Sequence, residues 1–308
     1  MGNKTLCRLL AVYVLCCGAW TGAAQTAHPQ VLPPASKAGP LERPSPEEQT
    51  KSLNEMRAYT VGYTKSLPDF ICLEQTFRYV DTTGMNAWRL VDVLTARLSY
   101  FDQKEDYKLV SQNGRGVSGV AYSSLNGAFS TGDFGTHMRE IFDPDNHAAF
   151  VWKRWTMLRG RLTHVFTYKV PLEYSNYNIE YRGEETHEKG GVQHVKVGYR
   201  GSVYVDNELH TIVRIAREPL NIPASFPIKQ AQDTVDYDFI KIGDNQYFLP
   251  LVASLEMRSR NEITRNVKEF RLYQKFSSEA EIKFDGKELP PLPEDKTKEQ
   301  LPVPQSPK

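Results

Sequence analysis

The passage Val235-Asp-Tyr-Asp-Phe-Ile-Lys-Ile242, Gly243-Asp244-Asn245, Gln246-Tyr-Phe-Leu-Pro-Leu-Val-Ala-Ser-Leu-Glu-Met-Arg258 most narrows what this chain can become. Gly243, Asp244 and Asn245 tolerate the left-handed backbone of a tight reversal, so the two flanking runs are predicted to fold back as antiparallel strands. In the second run Leu249, Leu251, Ala253, Leu255 and Met257 alternate with Pro250, Ser254, Glu256 and Arg258, Val252 being the exception. A period of two with one apolar face predicts a strand half-buried in a sheet.

The same alternation extends across Val192 to Phe284 and upstream. Ile71, Leu73, Phe77 and Tyr79 form one series, and Leu90, Leu94, Ala96, Leu98 and Tyr100 another. A turn at Arg159-Gly160 joins Ala149–Leu158 to a return strand whose Leu162, His164, Phe166, Tyr168 and Val170 share a face. Roughly eleven to thirteen strands follow from this reading, most of them antiparallel neighbours. Two helices interrupt them. Ser45, Pro46 and Glu48 form a capping box that starts the first, with Leu53, Met56, Thr60, Tyr63 and Leu67 along one face before Pro68. The second is predicted from a cap at Ser130 with Asp133, carries Phe134, Met138, Ile141 and Phe142 as its stripe, and ends at Asp143-Pro144.

The ends read differently. Lys4 and Arg8, the apolar run Leu9–Gly18 and the small residues Gly22-Ala23-Ala24 form a secretory signal peptide over residues 1–24, cleaved near Ala24. A lipoprotein signal would need a small residue before Cys16 or Cys17, where Leu15 and Cys16 stand. Export to the periplasm or beyond is the expectation. Of the four cysteines, Cys7, Cys16 and Cys17 leave with that peptide; Cys72 alone stays, so no internal disulfide supports the fold. Residues 25–44 read as a flexible leader and 287–308, dense in proline, as a disordered tail. Between them, 45–286 is predicted as a single β-rich domain of about 240 residues.

Charge and motifs exclude several functions. With 38 basic and 37 acidic residues the net charge is +1, which provides no field for nucleic acid. Gly114, Gly116 and Gly119 spell a dinucleotide fingerprint, but no helix is predicted to follow, so no nucleotide is expected. The seven histidines show no metal-ligand spacing, and neither a Gly-x-Ser-x-Gly elbow nor a paired-carboxylate pattern occurs. No cofactor, no metal, no catalytic residue and no membrane span in the mature chain are expected.

Five short pieces together resemble the LolA/LolB-like superfamily of periplasmic lipoprotein carriers. They are Gly201-Ser-Val-Tyr-Val-Asp206, Ile212-Val-Arg-Ile215, Val235-Asp-Tyr-Asp-Phe239, Tyr247-Phe-Leu-Pro250 and Phe270-Arg-Leu-Tyr-Gln-Lys-Phe276. The resemblance covers roughly the C-terminal third. It implies a mainly β, α+β fold: a strongly curved antiparallel sheet, or incomplete β-barrel, with about two covering helices and an apolar concave face. The function it implies is non-enzymatic: binding a lipid, an acyl chain or a lipoprotein, with Phe166, Tyr168, Leu251, Leu255, Phe270 and Leu272 as ligand-facing candidates. The alternative is a cell-envelope structural or interaction module with a filled core, whose partner is an envelope protein.

Overall fold

The computed structural model describes residues 41–118, 133–181, 193–276 and 288–302. Ser45 opens α1 (Pro46–Ser66) with the expected capping box: its hydroxyl accepts from the Glu48 amide at 3.2 Å, and its own amide donates to the Glu48 carboxylate at 2.7 Å. The strands are β1 (Phe70–Asp81), β2 (Arg89–Phe101), β3 (Lys104–Gln112), β4 (Arg115–Gly116), β5 (Ala149–Leu158), β6 (Arg161–Val170), β7 (Asn178–Tyr181), β8 (Gln193–Lys196), β9 (Gly198–Asp206), β10 (Ile212–Leu220), β11 (Gln230–Ile242), β12 (Asn245–Arg258), β13 (Ile263–Lys275) and β14 (Glu299–Gln300). Between β4 and β5 lies α2 (Thr136–Phe142).

Twelve strands make one antiparallel sheet in the order β14-β5-β6-β9-β10-β11-β12-β13-β1-β2-β3-β4, open at both margins, and β7 pairs with β8 apart from it. Its hairpins follow turn chemistry. Arg159-Gly160, Asp102-Gln103 and Asn113-Gly114 each place two consecutive residues at positive φ, the type I′ pattern, while Gly243 alone does so between Ile242 and Asn245. The first glycine of the apparent dinucleotide fingerprint is therefore a hairpin turn.

The sheet curls. Phe134, just before α2, lies against Phe70 of β1 and Tyr100 of β2, with ring centroids 5.3 and 6.0 Å away, while Phe142, closing α2, stacks on Phe150 of β5 at 5.0 Å. β2 and β5 are eight steps apart in the sheet order, about 38 Å if flat. Eight residues span about 12 Å as helix and about 27 Å even when extended. One short segment reaches both strands only because the sheet wraps around it.

Three expectations change. The helix cap predicted at Ser130 lies outside the described residues; α2 starts at Thr136 behind Gly135 (φ 111°), and Asp133 is buried against Lys268 instead of capping. The single apolar stripe of β12 is broken, because Asp236 pairs with Val252 and Tyr237 with Pro250, leaving Leu251 as a bulge residue. Leu249 and Ala253 join the main core, whereas Met257 packs in a satellite cluster with Phe226 and Ile228.

The third concerns the proline-rich end, read as a disordered tail over 287–308: its described residues, 288–302, lie against the sheet. One register row crosses the face opposite the helices: Arg154, Val165, Tyr204, Arg214, Asp236, Val252, Glu269 and Gln75 are successive partners on β5, β6, β9, β10, β11, β12, β13 and β1. Residues 289–299 lie along it as a strap. Proline lacks an amide donor but keeps its carbonyl, so the segment is held mainly by side chains; it makes one 3-10 turn at Glu294–Lys296 and joins the ladder only at Glu299–Gln300, beside β5.

Candidate functional site

The inner face of the curl, where both helices lie, is the candidate site. Its apolar half is lined by rings from distant strands. Phe270 meets Phe134 edge-on at 5.3 Å, Phe70 stacks on Tyr100 at 5.0 Å, and Tyr237 lies parallel to Phe248 at 6.2 Å. α1 covers this half. Tyr63 sits edge-on to Tyr237 at 6.2 Å and donates its hydroxyl to the Phe248 carbonyl at 2.9 Å. Among the described side chains of α1, Ser52, Met56, Thr60 and Tyr63 are fully buried, so the covering stripe carries two polar residues beside Met56, Tyr63 and the half-buried Leu53 and Tyr59. The Ser52 hydroxyl and the half-buried Tyr59 hydroxyl lack hydrogen-bond partners among the described residues.

The other half of the inner face is charged. Arg217 of β10 faces Asp233 of β11, with Nε and Nη2 at 2.9 and 2.6 Å from Oδ2. From α2, Glu140 accepts from Arg217 at 3.0 Å, and His137 Nε2 lies 2.8 Å from the guanidinium. Arginine only donates, so that ring nitrogen accepts. Lys268 reaches Asp133 at 3.0 Å, and the Tyr237 hydroxyl donates to the Asp133 carbonyl at 3.0 Å. Burial works against the Arg217 charge, but Asp233 outweighs it and holds the guanidinium above its ordinary range. Burial also raises the Glu140 carboxyl, with Arg217 opposing.

These groups brace α2 on the sheet and supply no activated nucleophile. Burial, reinforced by Glu74, pushes the Cys72 thiol well up, which keeps it protonated. No group of three or more metal-ligating side chains is assembled among the described residues, and no helix there is long and apolar enough to cross a membrane.

The six residues singled out from the sequence separate. Phe166, Tyr168 and Phe270 are buried in one core cluster; the Tyr168 hydroxyl donates to the Ala216 carbonyl at 3.1 Å. Leu255 is buried outside that cluster, between Asp233 and Asn266. Leu251 is the half-buried bulge residue, and Leu272 is 49% exposed with φ at 53° where β13 shifts register against β1. The charged half escaped sequence reading, although Arg217 and Asp233 each interrupt an apolar series and so announce a buried partner.

No protein-family model and no curated protein matches the chain. Among solved structures it is similar to a putative outer membrane lipoprotein-sorting protein domain from Vibrio parahaemolyticus, at 10% identity and a TM-score of 0.33 over 76% of this chain and 95% of that one. It is also similar to a LolA superfamily protein from Nitrosomonas europaea, at 10% identity and a TM-score of 0.27 over 74% and 93%. A DUF1329 family protein from Desulfovibrio piger is similar at 9% identity and a TM-score of 0.32 over 74% and 95%.

Proposed function

We propose that the chain is an exported, non-enzymatic binder of an apolar ligand, a lipid or the acyl chain of a lipoprotein, which enters the concave face when α1 lifts. The observation that carries this reading is the mismatch between lining and cover: a broad aromatic wall lies beneath a helix whose fully buried large apolar side chains are Met56 and Tyr63, with Leu53 and Tyr59 half-buried beside them. Two fully buried and two half-buried residues contribute about 5–9 kcal/mol. Transfer of an acyl chain out of water contributes about 0.8 kcal/mol per methylene, so a chain of about twelve or more carbons offsets lifting the helix. In this reading Phe166, Tyr168 and Phe270 form the lining, and Leu251, Leu255 and Leu272 belong to its margins.

The test is lipid extraction and mass spectrometry of the chain purified from its own cell envelope, beside uptake of an apolar fluorophore by the delipidated protein. Co-purified lipid and saturable uptake are expected, with faster uptake by Tyr63→Phe, which loses the bond to Phe248. A chain with neither lipid nor uptake sinks the reading. Residues 1–40 lie outside the described ones, so export rests on the amino-terminal sequence pattern; a mature protein beginning at Gln25 is the expected result.

A second reading, an envelope interaction module with a permanently filled core, is supported by the ring contacts of Tyr63 with Tyr237, Tyr237 with Phe248 and Phe134 with Phe270. It predicts unchanged thermal stability on delipidation.

A further inference from the structure

The strap lies on a row of side chains supplied by the sheet. Leu289 exchanges two hydrogen bonds with Gln75, at 2.8 and 2.9 Å; Arg271 donates to the Pro290 carbonyl at 2.8 Å; the Leu292 amide donates to Glu269 at 2.7 Å. Further along, Arg159 donates to the Lys296 carbonyl at 3.0 Å and Arg214 to that of Thr297. Glu299 then accepts from the Tyr204 hydroxyl at 2.7 Å, from Arg154 at 2.7 Å and from Thr156 at 3.0 Å.

From Gln75 on β1 to Arg214 on β10 is four strand spacings, about 19 Å. The path from Leu289 to Thr297 contains a 3-10 turn at Glu294–Lys296 and spans about 21 Å, with about 2 Å per residue in the turn and about 3.1 Å elsewhere.

Host and guest differ in how firmly they are held. Side chains of Arg159, Asp236 and Glu269 are buried, and Asp236 joins Arg159 and Arg214 at 2.9 Å each through atoms of the sheet and its hairpin alone. No residue from 288 to 302 is buried, and Leu289, resting on Ile71 and Leu73, is its apolar anchor. Charge complements as well: two arginines share Asp236, and Glu299 brings a second carboxylate beside Arg214 and Arg154. Burial would raise the Glu299 carboxyl, but hydrogen bonds from Tyr204 and Arg154 hold it below its ordinary range.

We propose that this register row is a peptide-binding track, occupied in cis by residues 289–299, and that it takes in trans a proline-rich peptide carrying a glutamate about ten residues after its leading leucine. Backbone carbonyls read by Gln75, Arg271, Arg159 and Arg214 supply affinity for any such backbone; the Tyr204, Arg154 and Thr156 cradle selects the carboxylate. The cis strap, at high effective concentration, competes with the incoming peptide.

The experiment uses a fluorescent peptide of residues 288–302 and fluorescence anisotropy on three full-length chains: wild type, Glu299→Ala, and one with residues 288–302 replaced by an equally long Gly/Ser run. The replaced chain is expected to bind saturably and at least about tenfold more tightly than wild type, with Glu299→Ala between them. Adding Arg214→Ala, or using a peptide with Glu299→Ala, is expected to weaken binding by about tenfold or more. Should the Gly/Ser chain lose its sheet circular dichroism, Glu299→Ala decides. The proposal is overturned if a folded strap-impaired chain binds no better than wild type, or if the Glu299-less peptide binds equally well.

Discussion

Arg217 and Asp233 face each other across β10 and β11 with both side chains out of water, joined at 2.9 and 2.6 Å beneath α2. Removing one partner strands the other. Arg217→Met is expected to cost about 3–5 kcal/mol in denaturant unfolding, and the double variant Arg217→Met with Asp233→Leu to regain most of that. A double variant as unstable as the single one would show that Glu140 and His137, not Asp233, are what the guanidinium chiefly holds.

Arg159 fills a gap. β10 and β11 pair only over Arg214–Arg217 and Asp233–Asp236, and beyond that its guanidinium donates to the carbonyls of Val213 at 3.0 Å and Tyr237 at 2.6 Å. Arg159→Ala is expected to destabilise by about 2–4 kcal/mol. It should also accelerate hydrogen exchange at Thr297 and Lys298, because Arg159 donates to Lys296 as well. Lysine there lacks the planar fork and is expected to restore little.

Two glycines make opposite predictions. A Cβ on Gly201 would sit 1.9 Å from the Ala216 carbonyl oxygen and 2.7 Å from the Tyr168 hydroxyl, so Gly201→Ala is expected to cost about 3 kcal/mol or more. Gly62, exposed inside α1, has nothing within 4 Å of that position. Gly62→Ala is expected to stabilise by about 0.5–1 kcal/mol. Thermal unfolding of the two variants checks both signs.

His164 links stability to acid. Trp152 donates its indole to Nδ1 at 3.2 Å, which requires that nitrogen to be unprotonated, and Nε2 meets Asn207 at 2.9 Å. Burial is the main cause that pulls the imidazole down to about 4, with Asn207 opposing. The unfolded chain then binds the extra proton between about pH 6.5 and 4. Stability is full above that window and falls through it by on the order of 1–2 kcal/mol, discounted for solvent screening. Urea titrations of wild type and His164→Gln across the window are expected to differ in slope; parallel curves would remove His164 as the cause.

Much of the architecture is written in local chemistry. The Ser45 box, the Arg159-Gly160 and Gly243 turns and the inward face of β6 need no tertiary partner to be recognised, because capping, positive φ and alternation act within a few residues. The bulge at Leu251 was not legible, since it depends on how β11 and β12 slide past each other. Nor was the cluster around Arg217, whose members His137, Glu140 and Asp233 meet only once α2 is enclosed. The strap misled for a related reason: proline density forbids a long ladder, but it says nothing of side chains elsewhere that hold such a backbone by its carbonyls.

Because the strap runs along the hydrogen-bond direction, its length is counted in strands. A hairpin inserted between β1 and β5 would lengthen its path by about 10 Å, of which unwinding the 3-10 turn at Glu294–Lys296 into polyproline backbone recovers only about 3 Å. The carboxy-terminal segment thus acts as a ruler for the sheet: an insertion of strands that left Leu289–Glu299 unchanged would pull the carboxylate off Tyr204 and Arg154 before it disturbed any core contact.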